Sequence, residues 1–198
     1  MALRATFVAA AGSSSVLAER FEGDRPLDRA GWSEVQRVAH ELLPLAAADL
    51  RSCSPAPRSR ATGEGPGYAP LVQPALRDCD MDRWRGLPPG EAMAREPGAV
   101  DAWLAGPRST PYGGEPLPAF IGRVGGRLDT RRVEDGCGVV AVAGPSVIRA
   151  ALVYVPRAPP ATYWNIDVRS LSAIGVAGRA GGPLSLRIEG ASAQAARA

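Results

Sequence analysis

The stretch Val139-Val140-Ala141-Val142-Ala143-Gly144-Pro145-Ser146-Val147-Ile148-Arg149-Ala150-Ala151-Leu152 constrains this chain more than any other. A short β-branched run, a Gly-Pro break and an apolar helical pattern follow one another without a gap. That order describes a buried parallel strand whose C-terminal end feeds directly into a helix. Ligands of open α/β sheets gather at such corners, where the N–H groups of a helix N-terminus converge on an anion.

The surrounding sequence fits the same class. Residues 4–11 read as a short apolar first strand. Trp32, Val35, Val38, Ala39, Leu42 and Leu43 repeat at helical spacing until Pro44. Asp49–Ser54 reads as a second strand, and Pro70–Leu76 as a third extended segment. Helices are expected over 90–96, 99–104 and 115–128. Two alternating segments, Ser172–Ala177 and Leu184–Ile188, close the chain as a hairpin. The expectation is one three-layer α/β/α domain with a mostly parallel sheet over 1–189, followed by a small polar, disordered tail over 190–198.

Composition removes several functions. All 23 basic residues are arginine, with no lysine, and the net charge is only +3. Such a bias, together with abundant Ala, Gly and Pro, reads as that of a high-GC bacterium rather than as a nucleic-acid footprint. Acids are interleaved throughout, so no basic stripe forms, and no nucleic acid is expected as a partner. No run approaches the roughly 20 apolar residues of a membrane span, and the N-terminal apolar run reads as a buried strand rather than a signal peptide. Cys53, Cys79 and Cys137 are odd in number and form no CxxC pair. The single histidine, His40, sits mid-helix off the apolar stripe and reads as a surface residue. No metal site, no cofactor and no disulfide framework is expected, and the cytoplasm fits best.

Five segments then carry a family resemblance. Ser52-Cys53-Ser54-Pro55-Ala56-Pro57-Arg58-Ser59-Arg60-Ala61-Thr62 resembles the "S-S-P-L-x-R-A-x-Q-T" segment of the histidine phosphatase superfamily, the phosphoglycerate mutase-like proteins. Leu76–Leu87 resembles its "L-R-E-x-x-x-G-x-W-E-G-L", Tyr112–Pro116 its "P-G-G-E-S", and Pro26–Gly31 its "P-L-T-E-R-G". The opening stretch resembles "V-L-A-V-T-H-A-G-V-I-R-A-A-L". The five occur in the family's order and span nearly the whole chain.

The resemblance implies a phosphoryl transfer through a histidine nucleophile, a second histidine and arginines that neutralise charge, and a carboxylic acid for the leaving oxygen. It also implies that this chain lacks much of that set. The nucleophile's "R-H-G" falls on Ala9-Ala10-Ala11, or on Ala10-Ala11-Gly12 in a shifted register, so Ala10 stands at the first lost histidine and Gly144 at the second. The acid falls on Asp78, one methylene shorter than glutamate, and Arg58 keeps its type and place.

Three readings of function follow. A pseudophosphatase would bind a phosphorylated or anionic small molecule through Arg58, Ser13, Ser14, Ser146 and Asp78. A repurposed enzyme would use Asp78 as acid or base in the emptied cleft, with Cys53 and Cys79 as nucleophiles or as inert thiols. A regulatory subunit would bind a protein partner through Trp84, Trp103 and Trp164. Oligomeric state is open.

Overall fold

A computed structural model of the chain describes residues 2–12, 20–21, 25–129, 138–179 and 184–187. Ser13, Ser14, Cys137 and the 190–198 tail lie outside the described residues.

The central sheet holds six strands: β1 (Ala2–Ala9), β2 (Leu50–Cys53), β3 (Leu71–Val72), β4 (Gly138–Ala143), β5 (Ala173–Arg179) and β6 (Leu184–Arg187). Their order across the sheet is β3-β2-β4-β1-β5-β6. The pairs β3/β2, β2/β4 and β4/β1 are parallel, whereas β1/β5 and β5/β6 are antiparallel. The sheet is therefore mostly parallel with a closing antiparallel hairpin, as the sequence pattern predicts.

Period-two alternation explains the three layers. Ala5, Phe7 and Ala9 of β1 and Val139, Ala141 and Ala143 of β4 join one core. Its covering helices are α5 (Leu117–Asp129) and α6 (Pro145–Tyr154). Val8, Val140 and Val142 face the other way, against Leu42 and Tyr68. That side is covered by α1 (Arg29–Leu42) and α2 (Pro57–Glu64). Both faces of the inner strands are dry, which is why their sequence is continuously apolar instead of alternating.

Helix boundaries follow local chemistry. Asp28 caps α1, its carboxylate accepting the Gly31 N–H at 2.7 Å. Pro57 and Pro145 occupy the first positions of α2 and α6, where a missing N–H costs nothing. Pro44 does not end its segment outright, because the chain continues as a 3-10 turn over Leu43–Ala47 that tolerates proline at its start. Two short helices, α3 (Pro89–Arg95) and α4 (Pro97–Ala105), form a satellite beside the sheet. Among the described residues no helix is long and apolar enough to cross a membrane.

Candidate functional site

Three parallel strands end at one edge, and the site is built there. β4 stops at Ala143, Gly144 becomes the N-cap of α6, and Pro145 and Ser146 open the helix. β1 runs beside it in the register Ala9↔Ala143, and the Ala10 N–H donates to the Ala143 carbonyl at 2.8 Å. Ala10 therefore lies next to Gly144 at this corner.

β2 delivers Arg58, the second residue of α2. Thr62 ties that helix to β1: its hydroxyl accepts the Ala11 N–H at 3.0 Å and donates to the Arg58 carbonyl at 2.7 Å. One buried hydroxyl thus links the end of β1 to the helix that carries the arginine.

Asp78 arrives on a loop held by Arg123 of α5. The Arg123 guanidinium donates to the carbonyls of Ala75, Arg77 and Asp78 at 2.9, 3.2 and 3.2 Å. It also forms two bonds to the Glu115 carboxylate at 2.9 and 2.7 Å, both side chains being largely buried. A bidentate, charge-assisted pair of this kind fixes orientation as well as adding energy. Glu115 is itself placed by the Tyr112-Gly113-Gly114 turn. A Cβ on Gly114 would sit 2.0 Å from the Asp80 carbonyl oxygen, so only glycine fits there.

The Asp78 carboxylate turns toward Gly144. One oxygen accepts the Ser146 hydroxyl, and the other lies 3.8 Å from Arg58 Nη2. A Cβ on Gly144 would meet the first oxygen at 2.8 Å and Arg58 Nη2 at 3.3 Å. The carboxylate therefore fills the space that any side chain at position 144 would have to enter. Arg58, Asp78 and Ser146 are brought together at this corner.

Beside this group opens a cavity of about 220 Å³. Arg20, Arg58 and Arg149 all line it, with Trp164, Trp103, Tyr163 and Phe21 forming another part of the wall. Among the described residues, the Nε atoms of all three arginines and Nε1 of Trp164 are enclosed and have no hydrogen-bond partner. Arg20 is oriented by its own bond from Nη1 to the Gly86 carbonyl at 2.6 Å. Arg149 lies over the Tyr163 ring at 5.9 Å. Burial pushes the Tyr163 phenol above its ordinary range, which keeps it neutral.

Other expected residues fall elsewhere or lose their chemistry. Burial, reinforced by the nearby Glu115 carboxylate, pushes the Cys79 thiol up to about 12. It donates to the Glu115 carbonyl at 3.3 Å. Cys53 is fully buried in the core and its thiol is raised by the same desolvation. Both thiols are therefore held toward the neutral, less nucleophilic form. His40 is exposed on α1, away from the cavity. The tryptophans do not form a surface patch. Trp84 is fully buried, and Trp103 and Trp164 are half-buried. Trp103 packs edge-on against Trp84, Trp164, Phe21 and Tyr112. This rigid cluster withdraws the tryptophan support for a protein-binding face. Arg20, Arg149 and Thr62 carry no role in the sequence reading. Arg149 lies inside the V-I-R-A-A-L segment, which was its available signal. Arg20 had none.

The sequence pattern of the histidine phosphatase superfamily (branch 1) matches residues 17–189. The chain belongs to this superfamily. Solved structures agree on the superfamily's fold. A mycobacterial glucosyl-3-phosphoglycerate phosphatase is 22% identical with a TM-score of 0.76, over 96% of this chain and 99% of the other. The α-ribazole phosphatase of Shigella flexneri is 19% identical with a TM-score of 0.78, over 95% and 96%. A histidine-to-alanine mutant of an Entamoeba histolytica phosphoserine phosphatase, in complex with phosphoserine, is 15% identical with a TM-score of 0.79, over 98% of each chain. At these identities the likeness is one of architecture. No curated protein sequence matches the chain.

Proposed function

We propose that this member of the histidine phosphatase superfamily is a pseudophosphatase, a protein that binds a phosphorylated or anionic small molecule without transferring its phosphoryl group. The observation that carries this reading is the convergence of three arginines, Arg20, Arg58 and Arg149, on one cavity, next to a corner that has no imidazole.

The superfamily's chemistry needs a histidine nitrogen to take the phosphoryl group. The resemblance puts that residue at Ala10 and its histidine partner at Gly144, and an alanine methyl and a glycine hydrogen cannot form a phosphohistidine. The only histidine, His40, is remote and exposed. Binding does not need the nucleophile. In the Entamoeba relative, a protein with alanine in place of a histidine is found in complex with phosphoserine.

Arg20, Arg58 and Arg149 supply the charge. An anion entering the cavity accepts from the guanidinium groups that line it, each bond being charge-assisted and therefore stronger than a neutral one. In the free protein, Asp78 acts as an internal anion, leaning toward Arg58 while Ser146 holds its other oxygen. Because both oxygens are engaged, the binding reading is favoured over one in which Asp78 works as a repurposed acid or base. The two described cysteines are free, which is consistent with our placing the protein in the reducing cytoplasm.

The test pairs binding with turnover. Inorganic phosphate raises the melting temperature of the protein, Arg58→Ala loses most of that rise, and a generic aryl phosphate is not hydrolysed. Hydrolysis that disappears in Arg58→Ala would overturn the proposal.

A further inference from the structure

We propose that the ligand of this cavity is a dianion carried directly on a single flat unsaturated ring, as in an aryl phosphate. The inference rests on the anion-binding reading above and adds the chemistry of the body that carries the charge.

The cavity lining holds three arginines against one carboxylate, Asp78, leaving two positive charges to be neutralised. That balance matches one dianion, because leftover charge would be uncompensated. Much of the remaining lining is aromatic and apolar, with Trp103, Trp164, Phe21, Leu117 and Met81. A sugar or glycerol body would strip water from several hydroxyls against these side chains and gain few partners in return. A flat ring loses no hydrogen bonds there.

The wall is also held rigid. Trp103 and Trp164 meet edge to face, centroids 4.3 Å apart and planes at 74°. Trp103 is braced by Phe21 at 5.5 Å and 87° and by Trp84 at 5.8 Å and 86°. Tyr163 meets Trp164 at 5.0 Å and 88°. Rings fixed in this way keep their faces and edges available to another ring without paying to order them.

Volume limits the body's size. The cavity, about 220 Å³ in volume, has room for a phosphate group carried on one six-membered ring.

The experiment is a calorimetric titration of the full chain with inorganic phosphate, glycerol phosphate and phenyl phosphate. Phenyl phosphate binds about tenfold tighter than glycerol phosphate, the gain of one or two aromatic contacts. Trp164→Leu removes that preference, read as the ratio of the phenyl phosphate affinity to the glycerol phosphate affinity. Trp164→Phe, which keeps a ring and drops the N–H, retains most of it and guards against a folding artefact. Equal binding of phenyl and glycerol phosphate, or a preference untouched by Trp164→Leu, would overturn this inference alone. Absence of binding by all three phosphates would overturn the anion reading beneath it.

Discussion

Replacing Arg149 by methionine separates what the cavity costs from what it does. The buried Arg149 Nε has no hydrogen-bond partner, and an unsatisfied buried donor costs about 1–3 kcal/mol. Against this, the guanidinium's contact with Tyr163 at 5.9 Å is worth about 0.5–1 kcal/mol. Methionine keeps an unbranched apolar stem and loses both terms. The free Arg149→Met protein is then more stable by up to about 2.5 kcal/mol, the upper end of the difference of those two ranges. For a domain of this size that raises the melting temperature by up to about 10 °C. Ligand response moves the other way. At phosphate one hundred times its dissociation constant, the parent gains about 2.7 kcal/mol. Losing a hydrogen bond to a charged group weakens binding about 10- to 150-fold, at about 1.5–3 kcal/mol. The variant's gain at the same phosphate falls to about 1.4 kcal/mol or less. Thermal melts of both proteins with and without phosphate measure all four quantities. A variant that melts lower than the parent, yet keeps the full phosphate response, would refute the claim that Arg149 is held in reserve for an anion.

Further predictions concern the supports of the site. Gly114→Ala forces its methyl group to within 2.0 Å of the Asp80 carbonyl oxygen, so the protein loses about 1–3 kcal/mol in a denaturant melt; an unchanged midpoint would contradict the tight turn. Cys53 and Cys79 resist alkylation at pH 8 in the folded protein and react after unfolding, read by peptide mass mapping. Modification of Cys79 at the rate of a free thiol would contradict its burial. The same thiol gives a pH dependence. Its folded value is raised to about 12 from an ordinary value near 9, so its neutral form is favoured in the fold. That contribution is fully present below pH 9 and is lost as the pH rises toward 12, because the unfolded chain releases the proton first. Cys79→Ser shows a shallower fall in stability across that window.

The parts of this structure that were legible in the sequence are those set by local order. The run from Val139 to Leu152 becomes β4 and α6 almost residue for residue, because a β-branched run, an N-cap glycine and a first-turn proline each act over a few residues. Arg58 and Asp78 were legible through the resemblance of the Ser52–Thr62 and Leu76–Leu87 segments to the superfamily. What was not legible depends on the directions of side chains from distant elements. Arg20, Arg58 and Arg149 come from a loop, α2 and α6, and only the packed fold points them at one cavity. Whether Asp78 faces solvent or the gap at Gly144 is decided by Arg123 gripping three carbonyls of its loop, a long-range contact without a sequence signal. The tryptophans looked like candidates for a surface because exposure cannot be read from residue type. Phe21, Trp84, Trp103 and Tyr112 turn out to pack on one another.

The central claim, an anion pocket without phosphoryl transfer, meets its most direct test in a single phosphorus NMR experiment on phenyl phosphate mixed with the full chain. The account predicts that the ester resonance shifts or broadens in proportion to protein, while no inorganic phosphate resonance grows over a day. An inorganic phosphate signal that grows at a protein-dependent rate, or an ester resonance indifferent to the protein, would contradict it.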